Sequence, residues 1–334
     1  MAGEKGPASD PLRGPSIQVA AMDKGVILIT GATASGKSGL ALELAEALAQ
    51  TGGATVINAD SMQVYEELRV LTARPGAAEL ARAPHRLYGI VPAAERCSAG
   101  RWQGLARTEI RAAQAAGRVA IVVGGSGLYL RALLDGLAPV PKIPAAIRAA
   151  AQARHRELGG AGLRAELLAR DGAAAGLQAG DSARLIRAWE VLQATGRPLS
   201  AWQAEQRQAP ERGLGDPLLR CILELPRPEL YRRCDVRFLD MIEAGALAEV
   251  AALEELALDP GLPAMKALGV GPLARHRAGQ LSLDEAVALA QRDTRRYAKR
   301  QLTWLRHQAA DWPTVTAQDS KRFFAKNFPI IRQL

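Results

Sequence analysis

Several features of secreted, membrane-bound and zinc-binding proteins are scarce or missing in this 334-residue sequence. Its three cysteines, Cys97, Cys221 and Cys234, are too few and too widely spaced for a disulfide framework or a zinc site. No apolar run is long enough to cross a bilayer, and the first two dozen residues lack the apolar core of a signal peptide. The sequence therefore predicts a cytoplasmic protein with no membrane partner and with inert, buried thiols.

Aromatic residues are also scarce, at 4% of the chain, and acidic residues are outnumbered. The sequence has 43 Lys and Arg against 34 Asp and Glu, a formal net charge of +9 and a pI of about 9.8. An excess of this kind favours a polyanionic partner, nucleic acid above all, although solubility alone is the alternative explanation.

The segment GATASGKS, residues 31–38, has the spacing of the phosphate loop found in ATP-binding and other nucleotide-binding proteins. An apolar run precedes it and a helical pattern follows, as that motif requires. Gly31 and Gly36 allow a tight turn whose N–H groups point at phosphate oxygens. Lys37 adds a mobile charge, and the Ser38 hydroxyl is a ligand for Mg²⁺. The segment predicts binding of two or more linked phosphates.

Short apolar runs alternate with helical patterns along the chain, which predicts an α/β fold with a P-loop NTPase-like parallel sheet. The five predicted strands are 25–30, 54–59, 86–91, 118–123 and 219–225. No strand is predicted between 141 and 210, so this stretch reads as an inserted all-helical domain. The catalytic core then comprises 23–140 and 211–315, and 1–22 is predicted to be a disordered extension.

Ligands of such sheets lie beyond the carboxyl ends of the strands. Asp60 follows the second strand, where its carboxylate is predicted to act as a base or to reach a metal; a helix cap is the alternative. The fourth strand ends in Gly124 and Gly125, where a conventional ATPase has an acidic residue for Mg²⁺. Because glycine has no side chain, this pair predicts either that another molecule approaches the backbone closely or simply that the chain makes a tight turn.

Two arginines beyond the fifth strand, Arg233 and Arg237, are one helical turn apart. Arginines in this position neutralise phosphate charge in P-loop transferases, whereas ion pairs with Asp240 or Glu243 are the alternative. A last long helix, about 283–306, has a strongly basic side that predicts contact with an RNA backbone.

Together these motifs resemble one family, the bacterial tRNA dimethylallyltransferases. The match extends in order over nearly the whole chain, and its most specific parts are DS at 60–61, GGSGLY at 124–129 and AKRQLTWLR at 298–306. The resemblance implies transfer of a dimethylallyl group from dimethylallyl diphosphate to the exocyclic amine of adenosine 37, next to the tRNA anticodon, with diphosphate leaving.

The family's residue roles carry over to matching positions of this sequence. Asp60 matches the general base, while Arg237, Lys37 and Mg²⁺ held through Ser38 would offset charge on the leaving group. The implied diphosphate-binding residues are Gly31, Thr33, Ala34, Ser35, Gly36, Lys37 and Ser38.

The resemblance also implies contacts with the anticodon stem-loop of tRNA. The matching residues are Asp60, Ser61, Met62, Gln63, Ser126, Arg148, Ala183, Arg184, Leu185, Ile186 and Arg187. The sequence departs from the family's pattern at Ala183, commonly Gln, and in MKALGV at 265–270. We expect a monomer. The alternatives are a P-loop nucleotide kinase, a dimethylallyltransferase acting on free AMP and a non-catalytic RNA-binding protein.

Overall fold

The computed structural model describes residues 25–208, 214, 219–316 and 319–332, and the predicted extension at 1–22 lies outside them. Within these residues no helix is both long and apolar enough to cross a membrane. By their internal contacts, the described residues within 1–130 and 216–334 form one compact unit and those within 131–215 form a second.

The first unit is built on a six-stranded parallel sheet, which confirms the predicted α/β fold. Its strands are β1 (Val26–Thr30), β2 (Ala54–Asn58), β3 (His85–Arg86), β4 (Val119–Gly124), β5 (Leu219–Glu224) and β6 (Thr314–Thr316). They lie in the order β3-β2-β4-β1-β5-β6, with β1 paired to β4 and β5. Every residue of β1, β2 and β4 is buried, as expected for central parallel strands covered on both faces.

Helices account for most of the remaining described chain. They are α1 (Lys37–Ala47), α2 (Ala77–Leu80), α3 (Ala99–Ala115), α4 (Gly127–Asp135), α5 (Ala145–Leu168), α6 (Ser182–Thr195), α7 (Leu199–Gln208), α8 (Arg227–Glu243), α9 (Ala246–Glu255), α10 (Val270–Arg277), α11 (Leu283–Gln308) and α12 (Ser320–Arg332). The predicted long basic helix is confirmed as α11.

The third predicted strand is largely wrong. Only His85 and Arg86 pair with β2, because Leu87 and Gly89 then adopt positive φ angles of 66° and 56° that end the extended backbone. The following residues instead bond to 63–64, and the N–H groups of Ile90 and Val91 both donate to Val64. The edge strand β6 was not predicted, because three residues are too few to show the alternation of apolar and polar residues that indicates a strand.

The second unit is helical in its described part. Its interior contains Leu163 and Leu167 of α5 with Leu185, Ala188 and Leu192 of α6. Helix α5 changes direction at Gly159, whose φ of 64° and ψ of 178° are not helical. The predicted insertion at 141–210 lies within this unit, which extends from residue 131 to residue 215.

Contacts within the chain itself require the glycines after β4. A Cβ on Gly124 would lie 2.2 Å from the backbone of Ala59, and one on Gly125 would lie 2.4 Å from Nε2 of Gln301. On Gly127 it would lie 2.5 Å from ring carbons of Trp304. These distances are too short for any side chain, so the three glycines let β2 and α11 pack against the end of β4.

Replacing Gly127 with alanine tests this packing. We expect Gly127→Ala to lower the free energy of unfolding by about 1–3 kcal/mol, because the added methyl group overpacks against Trp304. The matched control is Gly104→Ala on the exposed face of α3, where a Cβ meets nothing within 4 Å and where alanine favours the helix by about 1 kcal/mol. Urea denaturation of both variants should give opposite signs; equal effects would contradict the packing.

Candidate active site

The phosphate loop turns sharply between β1 and α1. Gly36, the residue before α1, has a φ of 93°, a left-handed conformation that glycine adopts without strain. Ala34 is also left-handed, with a φ of 63°. A Cβ on Gly31 would lie 2.5 Å from the carbonyl oxygen of Leu223 in β5. The loop is therefore held against the sheet at the carboxyl ends of β1 and β5.

Part of the predicted diphosphate cradle is already engaged within the chain. The N–H of Ser35 donates to the carbonyl oxygen of Ala32 at 3.2 Å, and the N–H of Thr33 donates to Oε1 of Gln301 at 2.7 Å. Within the described residues, no hydrogen bond uses the N–H groups of four loop positions. These positions are Ala34, Gly36, Lys37 and Ser38. Together with the amino end of α1, they form the part of the loop open to an anion.

Lys37 is buried at the centre of the loop. Its Nζ donates to the carbonyl oxygen of Ala32 at 3.2 Å. Burial lowers the pKa of Lys37 to about 8, with a smaller lowering by Arg237 and an opposing effect of Asp60. The ammonium is therefore shielded from solvent, and an anion bound beside it would favour its charged form.

Gln301 of α11 connects the phosphate loop to the loop after β4. Its Oε1 accepts from Thr33, and its Nε2 donates to the carbonyl oxygen of Gly125 at 2.9 Å. The side chain is buried, and both ends of its amide are satisfied. This role was not predicted from the sequence, in which an amide side chain within a strongly basic helix was the only signal.

Asp60 lies directly beyond β2 and is half-buried. Its Oδ1 accepts from the N–H of Met62 at 2.8 Å and from that of Gln63 at 3.4 Å. No helix begins there, so the cap that was the alternative interpretation is only a local turn. None of the described residues donates a hydrogen bond to Oδ2, which leaves one carboxylate oxygen for a substrate proton.

The side chain of Asn58 fixes the backbone at Asp60. The Asn58 side chain accepts from the N–H of Asp60 at 2.8 Å and donates to the carbonyl oxygens of Asp60 and Leu87, each at 3.0 Å. The indole N–H of Trp102 donates to the carbonyl oxygen of Asn58 at 2.9 Å, and its ring stacks on Tyr129 with centroids 4.4 Å apart. Asn58 and Trp102 are fully buried, so the backbone that positions the Asp60 carboxylate is held rigidly.

Arg237 approaches the same region from α8. Its Nη2 donates to the carbonyl oxygen of Thr72 at 3.3 Å. Loss of water around the guanidinium lowers the pKa of Arg237, while Asp60 opposes this effect. The alternative ion pairs with Asp240 and Glu243 are not formed. Arg233, by contrast, pairs with Glu229 of its own helix at 2.7 Å.

A cavity of about 230 Å³ brings these elements together. Thr33 of the phosphate loop, Asp60 and Arg237 form a polar part of its wall, and Leu71 and Phe238 form an apolar part. Tyr297 and Arg300 of α11 also line it, with the guanidinium of Arg300 5.5 Å from the ring centre of Tyr297. The cavity thus offers charged groups for an anion beside apolar surface for a small hydrocarbon group.

The segment that departs from the family's pattern also lines this cavity. Lys266, Ala267 and Leu268 lie in its wall. Gly269, with a φ of 92°, packs so closely that a Cβ would lie 2.9 Å from the Phe238 ring. A change in this segment therefore changes the shape of the cavity.

The predicted tRNA contacts of the first unit lie at or beside the cavity. Ser61 and Met62 line it. Ser126 is buried behind them, where its Oγ accepts from the N–H of Ser61 at 2.8 Å and donates to Ser61 Oγ at 3.2 Å. The Gln63 amide donates to the carbonyl oxygen of Thr72 at 2.9 Å, so it shapes the cavity wall.

The other predicted tRNA contacts belong to the helical unit. Arg148 of α5 and Ala183 and Arg184 of α6 are exposed. Arg184 forms an ion pair with Asp181 at 3.2 Å, an exposed contact that is easily exchanged for one with phosphate.

The remaining three predicted contacts on α6 are less accessible. Leu185 is fully buried in the interior of the helical unit, and Ile186 packs against the same cluster. Arg187 is half-buried and pairs with Glu190 at 3.3 Å. The side chain of Leu185 therefore serves packing and presents no surface to RNA.

The proposed metal ligand Ser38 is exposed in the first turn of α1. Within the described residues there is no cluster of three or more His, Cys, Asp or Glu side chains suited to a metal ion. A single hydroxyl fits Mg²⁺, which keeps several waters and is carried mainly by substrate phosphates.

The sequence matches the model of the family described as IPP transferase over residues 63–308, and that of isopentenyl transferase over 24–97. A solved structure of a tRNA isopentenylpyrophosphate transferase from Bacillus halodurans aligns with a TM-score of 0.64 and 29% identity, covering 92% of this chain and 96% of that one. A eukaryotic dimethylallyltransferase acting on tRNA shares the fold, with a TM-score of 0.75 at 24% identity over 91% of this chain and 79% of that one.

Bacterial relatives are similar over nearly their whole length. The tRNA dimethylallyltransferase of Rhodospirillum centenum is 60% identical over 85% of this chain and 89% of its own. That of Parvibaculum lavamentivorans is 50% identical over 92% of this chain and 96% of its own. These matches agree with the motifs and with the fold, and the chain belongs to the tRNA dimethylallyltransferase family.

Proposed function

We propose that this chain transfers a dimethylallyl group from dimethylallyl diphosphate to the exocyclic amine of adenosine 37 in tRNA. Family membership supports the general reaction, which is transfer of a dimethylallyl group to tRNA. The choice of donor and of target amine is supported by the cavity, whose wall combines Asp60, Arg237 and the phosphate loop with apolar side chains.

In this mechanism the adenine amine attacks the first carbon of the dimethylallyl group. A carbon–nitrogen bond forms while the carbon–oxygen bond to diphosphate breaks, and diphosphate leaves with the electron pair. The amine loses a proton as it bonds, because its lone pair is otherwise delocalised into the ring. Asp60 accepts that proton, with Met62 and Gln63 holding its other oxygen in place.

The departing diphosphate gains negative charge in the transition state. Lys37 and the free N–H groups of the loop lie on one side of it, and the Arg237 guanidinium approaches from α8. Because Lys37 is buried and Arg237 is half-buried, their attraction for developing charge is stronger than it would be in solution. The missing acidic residue after β4 agrees with a loop that holds diphosphate and transfers no phosphoryl group.

Mg²⁺ is part of this proposal. Ser38 would hold it together with the diphosphate oxygens, and the ion would stabilise the leaving group as a Lewis acid.

The tRNA would supply its base from the anticodon loop, where an unpaired nucleotide leaves the stack at a cost of a few kcal/mol. The exposed side chains of Arg148 and Arg184 offer positive charge to the RNA backbone. The proposed enzyme is a monomer and acts in the cytoplasm.

A labelled donor tests the reaction. Dimethylallyl diphosphate labelled in its hydrocarbon group is incubated with the protein, ATP, AMP and an unmodified tRNA that reads codons beginning with U. We expect label on adenosine 37 of the tRNA, found by nuclease digestion. Label on AMP, or ATP consumption without prenyl transfer, would contradict the proposal.

Replacing Asp60 with asparagine tests the general base. Asp60→Asn keeps an oxygen for the N–H groups of Met62 and Gln63 but cannot accept the amine proton. We expect kcat to fall about 100-fold or more, while tRNA binding in a filter assay stays within about twofold of wild type. An unchanged kcat would remove Asp60 from this role.

The pKa of Lys37 predicts how donor binding depends on pH. A lysine with a pKa of about 8 is charged below that pH and loses its proton above it, so donor affinity should fall as the pH rises from 7 to 9. Calorimetry on wild type and on Lys37→Met measures this. The variant should bind weakly and show a smaller pH dependence; parallel curves would contradict the assignment.

Metal removal tests Mg²⁺. We expect EDTA to abolish turnover and added Mg²⁺ to restore it, because the leaving group would otherwise carry uncompensated charge. Ser38→Ala should raise the Mg²⁺ concentration needed for half-maximal turnover, whereas Ser98→Ala, at the start of α3, should not. Full activity in EDTA would contradict the role of the metal.

A further inference from the structure

Glu249 of α9 binds a segment that is remote from it in sequence. Its carboxylate accepts hydrogen bonds from three consecutive backbone N–H groups, those of Arg69 at 2.7 Å, Val70 at 2.6 Å and Leu71 at 2.9 Å. Oε2 takes the first two and Oε1 the third. Successive N–H groups that converge on one anion form a specific site, so this contact fixes the backbone at 69–71.

The same segment forms part of the cavity wall. Leu71 and Thr72 both line the cavity. The carbonyl oxygen of Thr72 is the acceptor for Nη2 of Arg237 at 3.3 Å and for the Gln63 amide at 2.9 Å. Within the described residues, no other hydrogen bond is made by the Arg237 side chain. The position of this carbonyl therefore decides where the guanidinium points.

We propose that Glu249 is a positioning residue for the transfer reaction, which holds the segment 69–72 so that the Thr72 carbonyl aims Arg237 at the departing diphosphate. The proposal depends on the proposed function, because it gives Arg237 its task. Glu249 itself does not line the cavity, so it acts only through the segment and the arginine.

The chemistry of the three N–H groups explains why a carboxylate is needed. Glutamine has one acceptor oxygen, and its NH₂ group would face at least one of the N–H donors that a carboxylate oxygen now satisfies. The backbone at 69–72 must then shift. A displacement of about 1 Å in a positioned group costs up to about 100-fold in rate.

A double-mutant cycle tests the proposal, using single-turnover rates with saturating donor and tRNA. We expect Glu249→Gln to lower the rate of transfer about 10- to 100-fold in the wild-type background. In an Arg237→Ala background the same substitution should change the rate less than about threefold, because the group it positions is already gone. Equal losses in both backgrounds, or no loss in the first, would overturn it.

Glu254→Gln is the matched control. Glu254 lies on the same helix and pairs with Arg277 at 2.7 Å on the surface, away from 69–71. This variant should transfer at the wild-type rate. Melting temperatures of all variants identify unfolding, and if Glu249→Gln does not fold, Glu249→Asp replaces it in the cycle. If wild type itself transfers no label to tRNA, the proposed function is wrong. If wild type transfers label but Glu249→Gln lowers the rate equally in both backgrounds, only the role of Glu249 is wrong.

Discussion

The active site depends on holding Lys37, Arg237 and Asp60 close enough to influence one another's charge. Burial weakens the charged forms of Lys37 and Arg237, and Asp60 restores part of that loss. Lys266 and Arg300 also line the cavity, and Asp60 is the only carboxylate among the described lining residues, so positive charge exceeds negative charge there. A bound diphosphate would supply negative charge, so the site is electrostatically suited to the anion that it is proposed to hold and release.

The rest of the fold serves to keep these charges at fixed distances. Asp60, Arg237 and the phosphate loop are each held by a hydrogen bond that involves a backbone group. Asn58 and Trp102 support the backbone at Asp60, the Thr72 carbonyl holds Arg237, and Gln301 holds the phosphate loop. Such contacts fix positions without adding further charge, which would disturb the balance in the cavity.

The sequence predicted much of this arrangement, and the misses share a cause. The phosphate loop, the strand that leads into it and Asp60 follow from local patterns, and Arg237 from its helical spacing and the resemblance. The strand at 86–91 was predicted wrongly because Leu87 takes a left-handed conformation that composition does not reveal. The glycines after β4 are required by the packing of Ala59, Gln301 and Trp304, which the sequence does not reveal. Gln301 and Glu249 were missed because their partners are 268 and about 180 positions away.

The bond between Thr33 and Gln301 also constrains how the enzyme is made. A ribosome synthesises the phosphate loop near the start of the chain, but its amide partner arrives 268 residues later. A nascent chain that ends within α10 contains the entire loop sequence and still lacks the side chain that connects it to Gly125. The hydrogen bonds that connect the phosphate loop to the end of β4 therefore form only after α11 has been synthesised.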